Sequence, residues 1–488
     1  MAIETSSPGH TRFALAICAV AYLYVFPYQS NLNNPNENVR LYMTAAIVEE
    51  GRYEIDTMRE RWGWVNDAAK VGRHLYSVKA PGTSLLGVPA YAGYYGITRA
   101  FDLELDRTLA LWLCRVTATI APMLLWLYLL HGWLTRQGFS APLRDATFFS
   151  IALGSLLYGY GMLFVSHALS AAVAFSAFTI LHDARGRQDP TPHGRIFLAG
   201  LWAAAVTLFE YPGLIASVAL TLYAVHVLWS RGGLRSIGAY AAGGAIPTLL
   251  MMHFQWRAYG SPFTPGHLFV ETKALREAHH EGFYGAIGPS EEALHGLLID
   301  LGAGLFPLTP LLWFAMFGFI DLLRTRERRL DGVYALALVV LTVLGIASMN
   351  NWRGGWTIGP RYLALCVPFL AWVSLVGLER IAERAESHAI ALAVGTTAVG
   401  VLASGLPSAY YPHLPTEITR PLPELMSVLI AHDFAPRNAG NLVGAYGSAS
   451  MAPLLFVGVT AIAFCLRAIE LPRRRAMLGG AALIVALA

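Results

Sequence analysis

The chain has 488 residues, of which 55% are hydrophobic and 14% charged, with a formal net charge of +4. A soluble domain carries about 25% charged residues, so this chain has too few to coat a water-facing surface, and its mean hydropathy of +0.48 agrees. So small a net charge excludes nucleic acid as a partner. Cys18, Cys114, Cys366 and Cys465 all fall inside apolar runs and read as small buried hydrophobes, not as a disulfide framework.

Apolar runs recur near 13–29, 84–101, 109–130, 145–163, 166–181, 196–229, 236–258, 300–323, 333–349, 362–378, 389–406, 452–469 and 476–488. A bilayer accepts only helices or closed barrels, and strand-like alternation is absent. The expected fold is an all-α polytopic membrane protein with about 11 to 13 transmembrane helices of about 20 residues each. The first run follows a polar N-terminus without a small-residue cleavage site, so it reads as an uncleaved first span. The run 196–229 is too long for one straight span. It breaks at Glu210-Tyr211-Pro212, giving either one kinked helix or a hairpin of two short ones.

Basic loops mark the cytoplasmic side. Arg324–Arg329 and Arg473–Arg475 are the strongest, and Arg231 and Arg235 agree. Counting from them puts 259–299, 350–361 and 407–451 outside. It also puts 30–83 outside if residues 1–12 are inside. Arg185, Arg187 and Arg195 belong inside by the same rule, yet the simplest span count puts them outside.

Loop 30–83 is the longest polar stretch after a first span, and loops beyond about 15 residues are functional or disordered. Its Tyr53, Trp62, Trp64 and Tyr76 argue for order. Within it, Val39, Tyr42, Met43, Ala46 and Ile47 recur at helical spacing. Asn38–Glu50 therefore reads as an amphipathic helix on the membrane surface, its polar face carrying Glu37, Arg40 and Glu49–Glu50.

Five constellations could carry chemistry. Glu37 precedes that helix with Arg40 three residues on; it is either a capping acid or a general base. Lys79, before Ala80-Pro81-Gly82 at the mouth of the second apolar run, is either a phosphate ligand at a helix start or a snorkelling interface lysine. The stretch from Asn350 to Tyr362 holds Arg353 and Arg361 among two tryptophans and three close glycines, a combination suited to a phosphate head group. The 259–299 loop holds His267, Glu271, Lys273, His279, His280 and Glu281 without metal-ligand spacing, and reads as a solvated loop. Glu210 is an acid inside an apolar run, a candidate functional group by location, or simply the end of a helix before Pro212.

Together these motifs resemble the GT-C membrane glycosyltransferases, in the branch with protein mannosyltransferases and lipid A aminoarabinose transferases. The resemblance rests on Asn36-Glu37 with Arg40-Leu41-Tyr42, on Lys79-Ala80-Pro81 where that branch carries Lys-Pro-Pro, on Leu208–Gly213, and on Trp352–Trp356 with Gly359–Tyr362. Asn36 stands where the family usually has Asp. The resemblance implies a GT-C-like module over 1–405, including outer loop 30–83, followed by an outer loop and C-terminal transmembrane helices over 406–488.

It also implies a polyprenyl-phosphate sugar as donor, used at the outer face of a bacterial inner membrane toward the periplasm. Within that reading Glu37 is the candidate base. A base works best when burial raises its pKa toward operating pH. Arg40, Lys79, Arg353 and Arg361 would stabilise the leaving lipid phosphate. Asp67 is the second acid, orienting the acceptor, holding a metal, or pairing with Arg61 or Lys70. No Asp-x-Asp motif supports a divalent metal. The acceptor, whether glycan, lipid or protein, is open, as are membrane-protein partners. Two other classes stay open: a non-catalytic GT-C-like subunit of a larger assembly, and a lipid-linked sugar transporter. The transporter would carry more ionisable groups in its spans than Glu210 alone.

Overall fold

A computed structural model describes residues 8–27, 34–186, 189–231, 233–467 and 469–487. The first polar residues, the start of the outer loop at 30–33, and Arg187 lie outside the described residues, as do the side chains of Arg231 and Pro472. In chain order, α1 (Pro8–Tyr24) is followed by α2 (Pro35–Glu50), α3 (Asp56–Trp62), a hairpin of β1 (Ala68–Val71) and β2 (His74–Ser77), and α4 (Gly82–Ala100). Next come α5 (Arg107–Arg115), a π-helical turn (Val116–Ile120), α6 (Ala121–Arg136), α7 (Ala141–Leu153), α8 (Leu156–Met162) and α9 (His167–Gly186). Then follow α10 (His193–Phe209), α11 (Leu214–Arg231), α12 (Gly233–Tyr259), α13 (Lys273–His280), α14 (Glu291–Leu298), α15 (Leu305–Leu308), α16 (Ala315–Arg324) and α17 (Arg329–Ala347). The chain closes with α18 (Val367–Gly400), α19 (Leu406–Tyr410), α20 (Ser427–Ala431), α21 (Ala452–Cys465) and α22 (Leu471–Leu487).

Among the described residues, six helical stretches are long and apolar enough to cross a bilayer, or seven if α8 and α9, bent by 115°, form one span. Other apolar runs form shorter or broken helices, which stand outside that count of long ones. α10 has only 17 residues. The 50-residue stretch Arg361–Tyr410 would be about 75 Å long if straight. It breaks at Ala385 (φ −151°, ψ 68°) and returns, so that Thr357 N donates to Leu414 O at 3.1 Å.

The run 196–229 is a hairpin. Glu210 is extended (φ −141°, ψ 125°) and Pro212 lies in the one-turn link Tyr211–Gly213, where a residue without an N–H cannot continue α10. This second leg restores the parity of the middle of the chain. Arg185 donates to Asp331 at 2.6 and 3.0 Å and to Glu327 O, which places it at the same end as Arg324–Arg329. α10 meets α12 at unusually close range. A Cβ at Gly200 would sit 1.9 Å from Tyr240 O, and one at Gly243 2.0 Å from Phe197 O.

The first loop departs from expectation in three ways. α2 begins and ends as its sequence requires, with Asn34 as N-cap, Pro35 in the first turn, and Gly51 at φ 68° closing the C-terminus on Ala46 O and Ile47 O. It does not lie on a surface, however, since Asn36–Ala46 are all buried. α4 roofs it: the 84–101 run is not one of the six spans but runs beside α2. Thr44 Oγ1 donates to Ser84 O at 3.0 Å and Tyr91 OH to Glu49 at 2.5 Å. The hairpin β1–β2, turning at Gly72-Arg73 with Gly72 at φ 62°, is an antiparallel pair that the sequence did not announce.

The bundle interior also holds more ionisable groups than Glu210. Arg115, His131, Arg144, Asp145, His167 and Asp331 are all buried. Asp145 accepts from His131 (3.2 Å), Arg144 (2.9 Å) and Arg467. All four cysteines are buried and free. The segment after residue 405 packs against α1: Phe26 N donates to Arg437 O at 2.8 Å, and Tyr24 OH to Ser450 O at 2.5 Å.

Candidate functional site

Glu37 sits in the first turn of α2, 1% exposed. Arg115 grips it with Nε to Oε1 at 2.7 Å and Nη2 to Oε2 at 2.6 Å. The Phe164 N–H, freed by the extended turn between α8 and α9, donates to Oε1 at 2.6 Å. The N-cap amide of Asn34 donates to Oε2 at 2.7 Å and reaches His413 Nε2 at 2.9 Å. Burial alone would raise this carboxyl's pKa. The Arg115 guanidinium beside it and the Phe164 N–H nevertheless hold it below the usual carboxylate range. The expected burial-raised base is thus a caged carboxylate, with four donors on two oxygens. Burial pushes His413 down to about 4, so its ring is neutral and accepts the Asn34 N–H.

Arg40, on the next turn of α2, is equally committed. Its Nε donates to Asn36 Oδ1 (3.0 Å), Nη1 to Ala80 O (3.1 Å), and Nη2 to Ser166 Oγ (2.7 Å) and Glu210 Oε1 (3.5 Å). Asn36 therefore has a partner of its own as an acceptor for Arg40. Glu210, at the α10–α11 turn, also accepts from Ser166 Oγ, and lies 3.4 Å from His167 Nδ1. Lys79 Nζ pairs with Asp67 Oδ2 at 2.9 Å, which answers the question of Asp67's partner: it is neither Arg61, which binds Glu49, nor Lys70.

Lys79, Arg40, Glu210 and Arg361 all act through space on His167, and Asp67 on Arg361. These residues, from five separate stretches of chain, surround one site. A small cavity of ≈ 20 Å³ opens there, lined by His167, Ser170, Glu210, Thr342, Arg361 and Tyr362 among others. Arg361 lies over the Tyr362 ring, 5.0 Å from its centroid, with Nη2 on Tyr362 OH at 3.2 Å. Gly354, at φ 75°, lets the guanidinium in, since a Cβ there would meet Arg361 Nε at 2.7 Å.

Arg353 does not join them. It donates to Thr416 O at 3.2 Å and lines a second cavity with Trp352, Gly355 and Leu414. Nor is the 259–299 loop simply solvated. Glu271 N donates to Ala68 O (2.9 Å) and its carboxylate binds Arg59 (2.8 Å). His267 packs on Tyr211 and His279, and burial followed by His279 and Lys79 takes it down to about 4. Among the described residues, no three His, Cys, Asp or Glu side chains stand together as metal ligands.

Arg115, Ser166, His167 and His413 were missed. Arg115 and His167 were visible as ionisable residues inside apolar runs, the same signal that marked Glu210. Ser166 and His413 carry no such signal, because only the fold brings them to Glu210 and Asn34.

The helical bundle and its buried polar site define an integral membrane protein whose structural neighbours are GT-C fold glycosyltransferases. The crystal structure of ArnT from Cupriavidus metallidurans in the apo state matches with a TM-score of 0.50 and 16% identity, over 98% of this chain and 75% of that one. The same protein bound to undecaprenyl phosphate matches with a TM-score of 0.50 and 15% identity, over 98% and 74%. At these identities the likeness establishes the fold. No family model matches the chain, and no curated protein matches it.

Proposed function

We propose that the chain transfers a sugar from a polyprenyl-phosphate donor to an acceptor at the outer face of a bacterial inner membrane, the site facing the periplasm. The observation that carries this reading is a polar cavity lined by Arg361 and His167, with Lys79 near enough to act on that histidine, within a GT-C fold. ArnT, which shares that fold, has been crystallised with undecaprenyl phosphate. Support for this sidedness is that His167 of the cavity begins α9 while Arg185 ends it, and the positive-inside rule assigns Arg185 and Arg324–Arg329 to the cytoplasm.

The leaving lipid phosphate needs charge stabilisation more than a proton. Lys79, held by Asp67, is a compact cation that exchanges its carboxylate partner for the phosphate, and Arg361 supplies a second cation. Arg40 already engages four partners and positions Glu210. Glu37, fixed in its cage, anchors Arg115 and the turn that presents His167. Asp67 holds Lys79 ready. Arg353 holds the 411–420 loop beside the donor site.

Undecaprenyl phosphate binding by the purified full chain in nanodiscs tests this, with Lys79→Ala alongside. Saturable binding weakened about tenfold or more by the substitution, the loss of one charged contact, supports the reading. Absence of binding, together with a partner protein seated in the cavity, would favour the non-catalytic subunit.

A further inference from the structure

The small cavity beside Arg361 is lined by four residues with a polar atom buried without a hydrogen-bond partner: His167 Nε2, Ser170 Oγ, Thr342 Oγ1 and Arg361 Nε. Buried polar groups in a folded protein are nearly always paired, so four orphans around one space call for a polar guest. Their chemistry specifies it. Arg361 Nε is only a donor. His167 has its other nitrogen, Nδ1, 3.4 Å from Glu210 Oε1; a proton on Nδ1 facing that carboxylate leaves Nε2 a bare acceptor. A hydroxyl group fits both, accepting from Arg361 Nε–H and donating to His167 Nε2, with Ser170 as a third partner.

The imidazole is also held in place. It is 4% exposed, lies edge-on to Tyr160 at 5.0 Å and Tyr362 at 5.9 Å, and starts a helix just after Ser166, which Arg40 and Glu210 both engage. We infer that His167, backed by Glu210, is the general base that takes the proton of the acceptor hydroxyl, and that the cavity receives that hydroxyl.

This rests on the sugar-transfer reading above and supplies the base that caged Glu37 cannot. In the step, the acceptor O–H bond breaks and its proton goes to Nε2. The oxygen forms a bond to the anomeric carbon as the bond from that carbon to the phosphate oxygen breaks. The electron pair leaves on the lipid phosphate, beside Lys79 and Arg361. The imidazolium so formed faces Glu210, and releases its proton to solvent when product departs. The charged groups around the ring are Glu210 from the α10–α11 turn, Arg361 from the start of the 361–410 stretch, Arg40 from α2 and Lys79 from the end of the hairpin. One acid therefore confronts three cations.

The test uses the full chain in nanodiscs, wild type, His167→Asn and Glu210→Gln, with a panel of undecaprenyl-phosphate hexoses and pentoses as donors and release of undecaprenyl phosphate as the readout. His167→Asn is expected to lower kcat by about 10²–10⁴-fold, to flatten the acid limb of the pH profile, and to leave the Kd for undecaprenyl phosphate unchanged. Glu210→Gln should lower kcat less. Full turnover by His167→Asn overturns the assignment, as does a loss of lipid-phosphate binding equal to the loss of turnover. Nitrogen-15 histidine spectra give a second readout that needs no turnover. An Nε2 without a proton that responds to an added short-chain alcohol supports the proposal. An Nε2 bearing the proton, or one that answers to water only, overturns it. A wild type that neither binds undecaprenyl phosphate nor turns over any donor would sink the sugar-transfer reading, leaving the dyad to be judged on these spectra.

Discussion

At the scale of single residues, the candidate site separates lightly held charges, Lys79 with one carboxylate and Arg361 with one hydroxyl, from caged ones. Glu37 illustrates the difference. Breaking a buried ion pair by removing one charge leaves the other uncompensated, at a cost of about 3–5 kcal/mol. Glu37→Gln should thus lower stability by roughly 3 kcal/mol, far more than the ~1 kcal/mol of a lost cap. Thermal unfolding in detergent checks this, and a loss near 1 kcal/mol would reduce Glu37 to a cap.

The same network fixes a pH dependence. The folded chain holds His413 at about 4 against an ordinary 6.5, so between pH 6.5 and 4 the unfolded chain binds a proton that the folded one refuses. Stability is then full above 6.5 and falls as pH drops to 4, by at most about 1.4 kcal/mol per unit. Glu37, whose pKa is lowered from an ordinary 4.5, adds stability that is present above 4.5 and lost below it. His413→Gln should flatten the first window and Glu37→Gln the second, as read from the unfolding temperature between pH 7 and pH 3.5. Lys79, Glu210 and Arg361 were legible in the sequence because a charge beside Pro or Gly at the edge of an apolar run is unusual. Arg40 was legible too, but its commitment to other groups was not, since its partners at 80, 166 and 210 are distant in sequence.

At the scale of elements, local chemistry specified where helices start and stop. Covering was another matter. The cap at Asn34 and the stop at Gly51 read directly from the chain, as did the break at Glu210–Pro212. The burial of α2 did not, because its pattern of apolar residues is compatible both with a membrane surface and with a lid of protein. α4 supplies that lid, and an apolar run of its length gives no sign of whether lipid or another helix will cover it. The α10–α12 contact depends on two glycines for the opposite reason, since here backbone must touch backbone. Gly243→Val should force the pair apart and cost about 1–3 kcal/mol. Gly93→Val, at a site with nothing within 4 Å of an added Cβ, is the control. Equal unfolding temperatures for the two variants would contradict the close approach.

For the whole molecule, the all-α membrane fold was legible from composition alone, and the GT-C arrangement from a few short loop motifs. Where each apolar run breaks or folds back was not legible, because composition along a run does not reveal it. The hairpin at Glu210 also resolves the orientation of the middle of the chain, with Arg185 joining the Arg324–Arg329 end. A single cysteine placed at Ser261, in a background whose four native cysteines are buried, should react with a membrane-impermeant reagent from the periplasmic side, and one at Thr325 only after the membrane is opened. The reverse pattern would invert the proposed sidedness.

The central claim is that a lipid phosphate binds between Lys79 and Arg361. The most direct measurement is a cryo-EM density map of the chain in nanodiscs with added undecaprenyl phosphate. The account predicts phosphate density in contact with both side chains, with Lys79 turned from Asp67, and with the Glu37–Arg115 pair unchanged. A lipid phosphate bound elsewhere, or a cavity that stays empty at saturating lipid with Lys79 still on Asp67, would contradict it.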